Sequence, residues 1–224
     1  MGEITLITGP MFAGKTTELL RQLNVHKNAG QKCLLIKHAS DTRYSARGEV
    51  TTHDGISAEA TIICKSLTNM SDKDMAQCRA SQVIGIDEGQ FFDDLVEFCD
   101  TLACGKKLIV AGLCTTHERA NFKPVADLFP FSEKIIRLRA ICKDCSKPAD
   151  YTFRTGKIEA SYVGGLDDYK ALCRSCYFRN QGLRSNSLIW NTEIYKKVHF
   201  FISGYKVHYR SSSQNFNGYK VQTQ

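Results

Sequence analysis

Short apolar runs recur along the chain and alternate with segments of helical period. Ile4-Thr5-Leu6-Ile7-Thr8 is a β-rich run, and the turn-forming residues Gly9, Pro10 and Gly14 follow it. From Thr17 to Asn28 the apolar residues Leu19, Leu20 and Leu23 fall at helical spacing, so the opening segment predicts strand, turn, helix. Cys33 to Ile36 predicts a second strand after the stop signal Asn28-Ala29-Gly30, and Val83 to Ile86 a third that ends at Asp87-Glu88. Leu108 to Ala111 and Lys134 to Leu138 predict a fourth and a fifth. Apolar strands alternating with helical patterns imply an α/β fold: a parallel sheet with helices on both faces. Between the second and third strands, Ser40 to Asp54 is rich in Asp, Arg, Ser, Thr and Gly without periodicity, which predicts a loop. After Leu138 cysteine pairs, glycines and aromatics replace that rhythm until about Gly182. The pattern divides the chain into 1–139, a small second domain at 140–182, and an extension at 183–224. That extension carries Trp190 and Phe200-Phe201-Ile202, and its polar end from Ser211 to Gln224 predicts fraying.

Composition narrows the class. Of 224 residues 42% are hydrophobic and 24% charged, the balance of a globular protein large enough to build a core without disulfide staples. No stretch approaches 18 uninterrupted apolar residues, so no membrane-spanning helix is expected. The first residues enter a strand-like run with no basic or apolar leader pattern, which suggests a reducing compartment for the ten cysteines. The net charge of +7 includes a denser basic stretch from Arg179 to Lys220, interleaved with Tyr and Phe. Nucleic acid could meet such a stretch, but no recognised nucleic-acid motif accompanies it, and a solvated surface is the simpler reading.

The residues that carry chemistry begin at the first turn. Gly9-Pro10-Met11-Phe12-Ala13-Gly14-Lys15-Thr16 fits G-x-x-x-x-G-K-S/T directly after a strand and at the opening of a helix. Glycines at both ends let backbone N–H groups turn inward on phosphate oxygens, and the helix N-terminus adds its partial positive charge. Lys15 would reach the outer phosphates, and Thr16 would place its hydroxyl on Mg²⁺. Asp87, at the end of an apolar strand, is the second candidate magnesium anchor, and Glu88 beside it can accept a proton from whatever attacks the γ-phosphate. A substrate hydroxyl in that position makes a kinase and water makes an ATPase; the dipeptide alone does not decide.

Cys142-x-x-Cys145 and Cys173-x-x-Cys176, 27 residues apart, supply four thiolates from two tight turns, the ligand set of a tetrahedral structural zinc. The metal would staple the base of a long loop. A redox role for either pair is the competing reading, and two matched pairs favour metal. Cys33, Cys64, Cys78, Cys99, Cys104 and Cys114 read as buried or incidental thiols.

Taken together, Gly9 to Thr16, Asp41-Thr42-Arg43, Asp87-Glu88-Gly89-Gln90-Phe91-Phe92, the cysteine pairs and Gly164-Gly165 with Tyr169 resemble the type II thymidine kinase family over about Glu3 to Gly182. The resemblance implies a P-loop NTPase-like sheet with a zinc-binding domain that carries a lasso loop. It implies ATP- and Mg²⁺-dependent phosphorylation of the 5′-hydroxyl of thymidine or deoxyuridine in nucleotide salvage. It further implies a cytoplasmic homotetramer inhibited by thymidine triphosphate, with neither a membrane nor a nucleic-acid partner. On that resemblance Glu88 is the general base, and Asp41, Thr42, Arg43 and Gln90 join the phosphate loop on the nucleotide side. Phe91 stacks beside the base, and Met11, Leu113, Phe122, Thr152 and Tyr169 close the pocket. Backbone groups of Ser161, Tyr162, Val163 and Gly164 hydrogen-bond the pyrimidine. The chain departs from the family pattern at Leu113-Cys114-Thr115-Thr116-His117, where His117 stands at a position expected to hold an aromatic substrate contact. An imidazole can stack but adds a polar edge, so an altered nucleoside preference is expected.

Overall fold

The structure is a computed structural model and describes residues 2–40, 49–51, 57–155 and 168–182. In chain order the strands of its larger part are β1 (Glu3–Thr8), β2 (Cys33–His38), β3 (Glu49–Thr51), β4 (Ser57–Glu59), β5 (Ile62–Cys64), β6 (Val83–Ile86), β7 (Lys107–Gly112) and β8 (Lys134–Arg137). The helices among them are α1 (Lys15–Asn28), α2 (Asp72–Ala80), α3 (Leu95–Ala103) and α4 (Lys123–Leu128). Then come β9 (Ala140–Ile141), β10 (Pro148–Ala149), β11 (Tyr151–Arg154), β12 (Tyr169–Leu172) and α5 (Arg174–Asn180).

Six strands pair in the order β5-β2-β6-β7-β1-β8, and every pairing is parallel. The period-2 alternation of each strand decides which layer its side chains meet. Ile4, Leu6, Leu34, Ile36, Ile84, Ile86, Leu108 and Val110 pack on one face with Phe98 and Cys99 of α3 and Val125 and Leu128 of α4. Ile7, Leu35, Val83, Ile109 and Ala111 pack on the other with Leu19, Leu20 and Leu23 of α1. Both faces of the central strands are therefore apolar, and their sequences read as continuous hydrophobic runs. Parallel pairing also brings the carboxyl ends of β1, β2, β6 and β7 to one edge, where open α/β sheets bind ligands.

Two features depart from the sequence expectation. The sheet has a sixth strand, β5, which has only three residues, with Ile62 buried and Ile63 half exposed, too few for a period to emerge. The loop predicted at Ser40 to Asp54 contains β3, which pairs antiparallel with β4, three residues on each side. Residues 41–48 and 52–56 lie outside the described residues, as does the extension 183–224.

The small module from Ala140 has its own core. Ala140, Cys142, Ala149, Leu172, Cys176 and Tyr177 are buried together between the β9–β10 and β11–β12 pairs and α5. Phe12 and Ala13 of the glycine-rich turn pack against it. Sheet and module belong to one compact unit, Met1–Gly182. Among the described residues no helix is long and apolar enough to cross a membrane.

Candidate active site

The turn between β1 and α1 is built by backbone conformations that few side chains permit. Gly9 has φ 151°, and a Cβ there would stand 2.4 Å from the Leu138 carbonyl oxygen, so both conformation and crowding demand glycine. Gly14, the N-cap of α1, is left-handed with φ 78°, and Phe12 adopts φ 65°. Gly14 offers no side chain to cap α1, and the first N–H groups of a helix point out along its axis, here toward the loop. Lys15 arches back so that its Nζ donates to the Pro10 carbonyl at 2.9 Å. The result is a cradle of donors and positive charge suited to a phosphate chain.

Behind the cradle, Thr16 donates its hydroxyl to the Asp87 carboxylate, at 3.1 and 3.2 Å to its two oxygens. Asp87 is only 4% exposed. A hydroxyl and a buried carboxylate in contact are the hard oxygen donors that a magnesium ion takes, so this pair fits the ion. Glu88, the next residue, holds a left-handed backbone, φ 52° and ψ 45°. A non-glycine residue pays about 1–3 kcal/mol for such a conformation, and it turns the Glu88 side chain away from the course the strand would give it. Gln90, 6% exposed, donates to the Glu88 carboxylate through Nε2 and accepts the Leu113 N–H through Oε1 at 2.9 Å. One amide thus ties the acid after β6 to the chain after β7.

A cleft of about 290 Å³ opens beside these residues. Met11, Phe91, Leu113, His117, Phe122, Thr152 and Tyr169 all line it, together with Gln90. Phe91 rests on the His38 ring, with centroids 5.6 Å apart, and His38 is held by the Ser40 N–H on Nδ1 and the Lys65 carbonyl on Nε2. Thr152 accepts the Met11 N–H at 3.0 Å, which joins β11 to the glycine-rich turn. Thr115, Thr116 and Glu118 also line the cleft, and the sequence reading did not single them out. The signal was their position in the segment around His117, where the chain leaves the family pattern. Asp41, Thr42, Arg43, Ser161, Tyr162, Val163 and Gly164 lie outside the described residues.

The four cysteines converge. Their sulfur atoms all lie within 4.8 Å of one another, with Cys145 Sγ 3.6 Å from Cys173 Sγ, and none forms a disulfide. Zn–S bonds of about 2.3 Å in a tetrahedron put sulfurs about 3.8 Å apart, so the donor set and its spacing fit a structural zinc. Cys142 and Cys145 sit on a turn closed by the Ser146 N–H on the Cys142 carbonyl at 2.9 Å; Cys173 caps α5 and Cys176 lies in its first turn. Burial pushes the Cys142 thiol up, but backbone N–H groups of Cys173 and Asp144, with Cys145, outweigh it and bring it down to about 6. Burial and the neighbouring sulfurs push the Cys176 thiol the other way, so the shared site favours a thiolate first at Cys142. Elsewhere burial pushes the Cys64 and Cys78 thiols up to about 11, as expected of inert core thiols.

The phosphate cradle on a parallel α/β sheet, with a hydroxyl–carboxylate pair behind it and an acid at the mouth of a cleft, is the arrangement of a nucleotide-binding enzyme that works on phosphoryl groups. Comparison with known proteins makes the class specific. The family profile described as thymidine kinase matches residues 2–177. The cytosolic thymidine kinase of Gallus gallus is 44% identical over 182 residues, 80% of this chain and 79% of that protein. The cytosolic enzyme of Homo sapiens is 45% identical over 181 residues, 80% and 74% of the two chains. The thymidine kinase of Rabbit fibroma virus (strain Kasza) is 44% identical over 179 residues, 79% of this chain and 97% of the viral one. The chain belongs to the thymidine kinase family.

Proposed function

We propose that the chain transfers the γ-phosphoryl group of ATP to the 5′-hydroxyl of thymidine or deoxyuridine, with Glu88 as general base. The observation that carries this reading is the cleft: it is bounded by Met11 of the phosphate loop and by Gln90, which holds Glu88. A nucleoside seated there presents its hydroxyl between the acid and the phosphate cradle. Glu88 takes the hydroxyl proton as the oxygen attacks phosphorus, while Lys15 and the loop N–H groups stabilise charge on the phosphoryl oxygens. Thr16 and Asp87 hold magnesium, which supplies neutralisation of the phosphate charge.

The base lies against the Phe91 ring, between Met11, Leu113, Phe122, Thr152 and Tyr169, and His117 tunes which base is accepted. Backbone groups of Ser161, Tyr162, Val163 and Gly164 select the pyrimidine, since an unpaired buried donor costs about 1–3 kcal/mol. Asp41, Thr42 and Arg43 serve the nucleotide, as the family resemblance implies. Zinc on Cys142, Cys145, Cys173 and Cys176 is structural and fixes the module at 140–182 on the domain at 1–139. The same reading makes the protein a cytoplasmic homotetramer in nucleotide salvage, subject to inhibition by thymidine triphosphate.

The test is ADP formation by the zinc-loaded protein with magnesium and ATP, given thymidine, deoxyuridine, deoxycytidine, deoxyguanosine or no acceptor. Thymidine monophosphate is the expected product, and acceptor-independent hydrolysis overturns the reading. Replacing His117→Phe should shift the ratio of nucleoside rates; unchanged selectivity removes His117 from the specificity argument.

A further inference from the structure

The segment between β7 and α4 forms one wall of the cleft yet has no buried side chain of its own from Leu113 to Asn121. Its internal bonds are local: the Thr116 N–H donates to the Ala120 carbonyl at 2.8 Å, the Phe122 N–H to the Cys114 carbonyl at 2.9 Å, and Thr115 bridges Asn121. Such a segment keeps one position only if something outside it holds it. Gln90 holds its start by accepting the Leu113 N–H, and Cys114 packs on the sheet core; the hold on its tip comes from α5. The Tyr177 hydroxyl donates to the His117 carbonyl at 2.5 Å, across 60 residues of sequence. Gln181 Nε2 donates to the same hydroxyl oxygen at 3.0 Å, which directs the hydroxyl proton at His117. The Arg119 guanidinium lies over the Phe178 and Tyr177 rings at 4.9 and 5.5 Å.

Tyr177 is itself enclosed by the module core. It is fully buried, with Tyr151, Phe153 and Phe178 around it at centroid distances of 5.2 to 5.7 Å, and it follows Cys176 directly. The packed end of the module therefore grips the His117 backbone, and the His117 ring is left facing Tyr169 at 6.2 Å across the cleft.

We propose that Tyr177 is a positioning residue for the acceptor cleft, its hydroxyl setting the place of His117 and so the affinity for the nucleoside. The consequence for affinity rests on the functional reading above; the hold on the segment does not. Tyr177→Phe keeps the packed ring and removes the hydrogen bond. Amide exchange across residues 114–121 should then quicken severalfold, with exchange in α1 and β7 unchanged. The KM for thymidine should rise on the order of tenfold, the cost of a hydrogen bond of about 1.4 kcal/mol, while kcat and the KM for ATP stay within about twofold. Gln181→Leu, at an exposed position, should move the same two readouts less and in the same direction. Unchanged exchange at 114–121 overturns the hold. A uniform loss in kcat and both KM values, or wild-type kinetics, overturns the positioning role. Failure of the unaltered protein to phosphorylate thymidine overturns the functional reading, and the exchange measurement still decides the hold.

Discussion

The glycine-rich turn at residues 9–14 and the cysteine turns at 142–145 and 173–176 both lead ligating groups to one point, but they are anchored by different physics. The first hangs from a six-stranded sheet whose strands bury apolar side chains on both faces, so the donors of Lys15, Thr16 and Asp87 are placed by a core that forms without any ligand. The second belongs to two-stranded pairs and a helix of seven residues, too little apolar surface to fold alone. Two of the buried residues in that small core are the ligand cysteines Cys142 and Cys176 themselves. One region has a core separate from its ligating groups; the other builds its core partly from the groups that fit a metal. The cleft is lined from both, with Met11, Gln90 and Phe91 from the sheet side and Thr152 and Tyr169 from the module.

Removing the metal is the largest perturbation, since apparent zinc affinities of structural sites amount to about 10–16 kcal/mol near neutral pH. A strong chelator should abolish amide protection in β9 to β12 and α5 and expose four additional reactive thiols, while β1, β6 and β7 keep theirs. Exchange that is uniform over both regions, or unaffected by the chelator, breaks the contrast between them. Next in size is Glu88→Gln. Loss of the base should lower kcat on the order of 10²–10⁴-fold, with ATP affinity and melting temperature nearly unchanged. An equal loss of ATP binding would place Glu88 in the cradle instead of at the acceptor.

What the sequence made legible follows the same division. β1, β2, β6 and β7 could be read directly because burial on both faces makes them continuous apolar runs. The glycine-rich turn and the cysteine pairs were legible because their chemistry is local, with the groups of the turn and those within each pair a few residues apart. β5 was not, since an edge strand of three residues with one half-exposed isoleucine carries no period. The cleft residues Met11, Phe91, Leu113, Phe122, Thr152 and Tyr169 entered only through family resemblance, because they come from separate elements and share no pattern. The grip of Tyr177 on His117 left no trace at all. Its acceptor is a backbone carbonyl, which every residue possesses, so nothing in the identity of either residue announces it.

A core truncation tests the sheet side alone. Ile84 is fully buried in a central strand among Leu34, Ile36 and Leu108. Ile84→Ala should destabilise the protein by about 2–5 kcal/mol through lost burial and the cavity left behind. Denaturant unfolding measures the loss, and the zinc content of the folded fraction should stay at one ion per chain. Loss of zinc in step with the sheet would show that the module depends on the sheet for its fold.

The smallest effect falls on the seam. Thr152 belongs to β11 of the module, and its hydroxyl accepts the N–H of Met11, a buried bond spanning 141 residues between the two regions. Thr152→Val keeps the shape and leaves that N–H without its acceptor, a loss of about 1–3 kcal/mol. At about 2–4 °C per kcal/mol for a domain of this size, the melting temperature should fall by about 2–12 °C. Because Met11 is part of both the phosphate loop and the cleft wall, the KM values for ATP and for thymidine should rise together, unlike the thymidine-only shift expected of Tyr177→Phe. Thr152→Ser, which restores the acceptor, should recover both. If Thr152→Val raises the KM for thymidine alone, the hydroxyl serves the acceptor directly, and the two regions meet through packing of Phe12 and Ala13 on the module core and not through this bond.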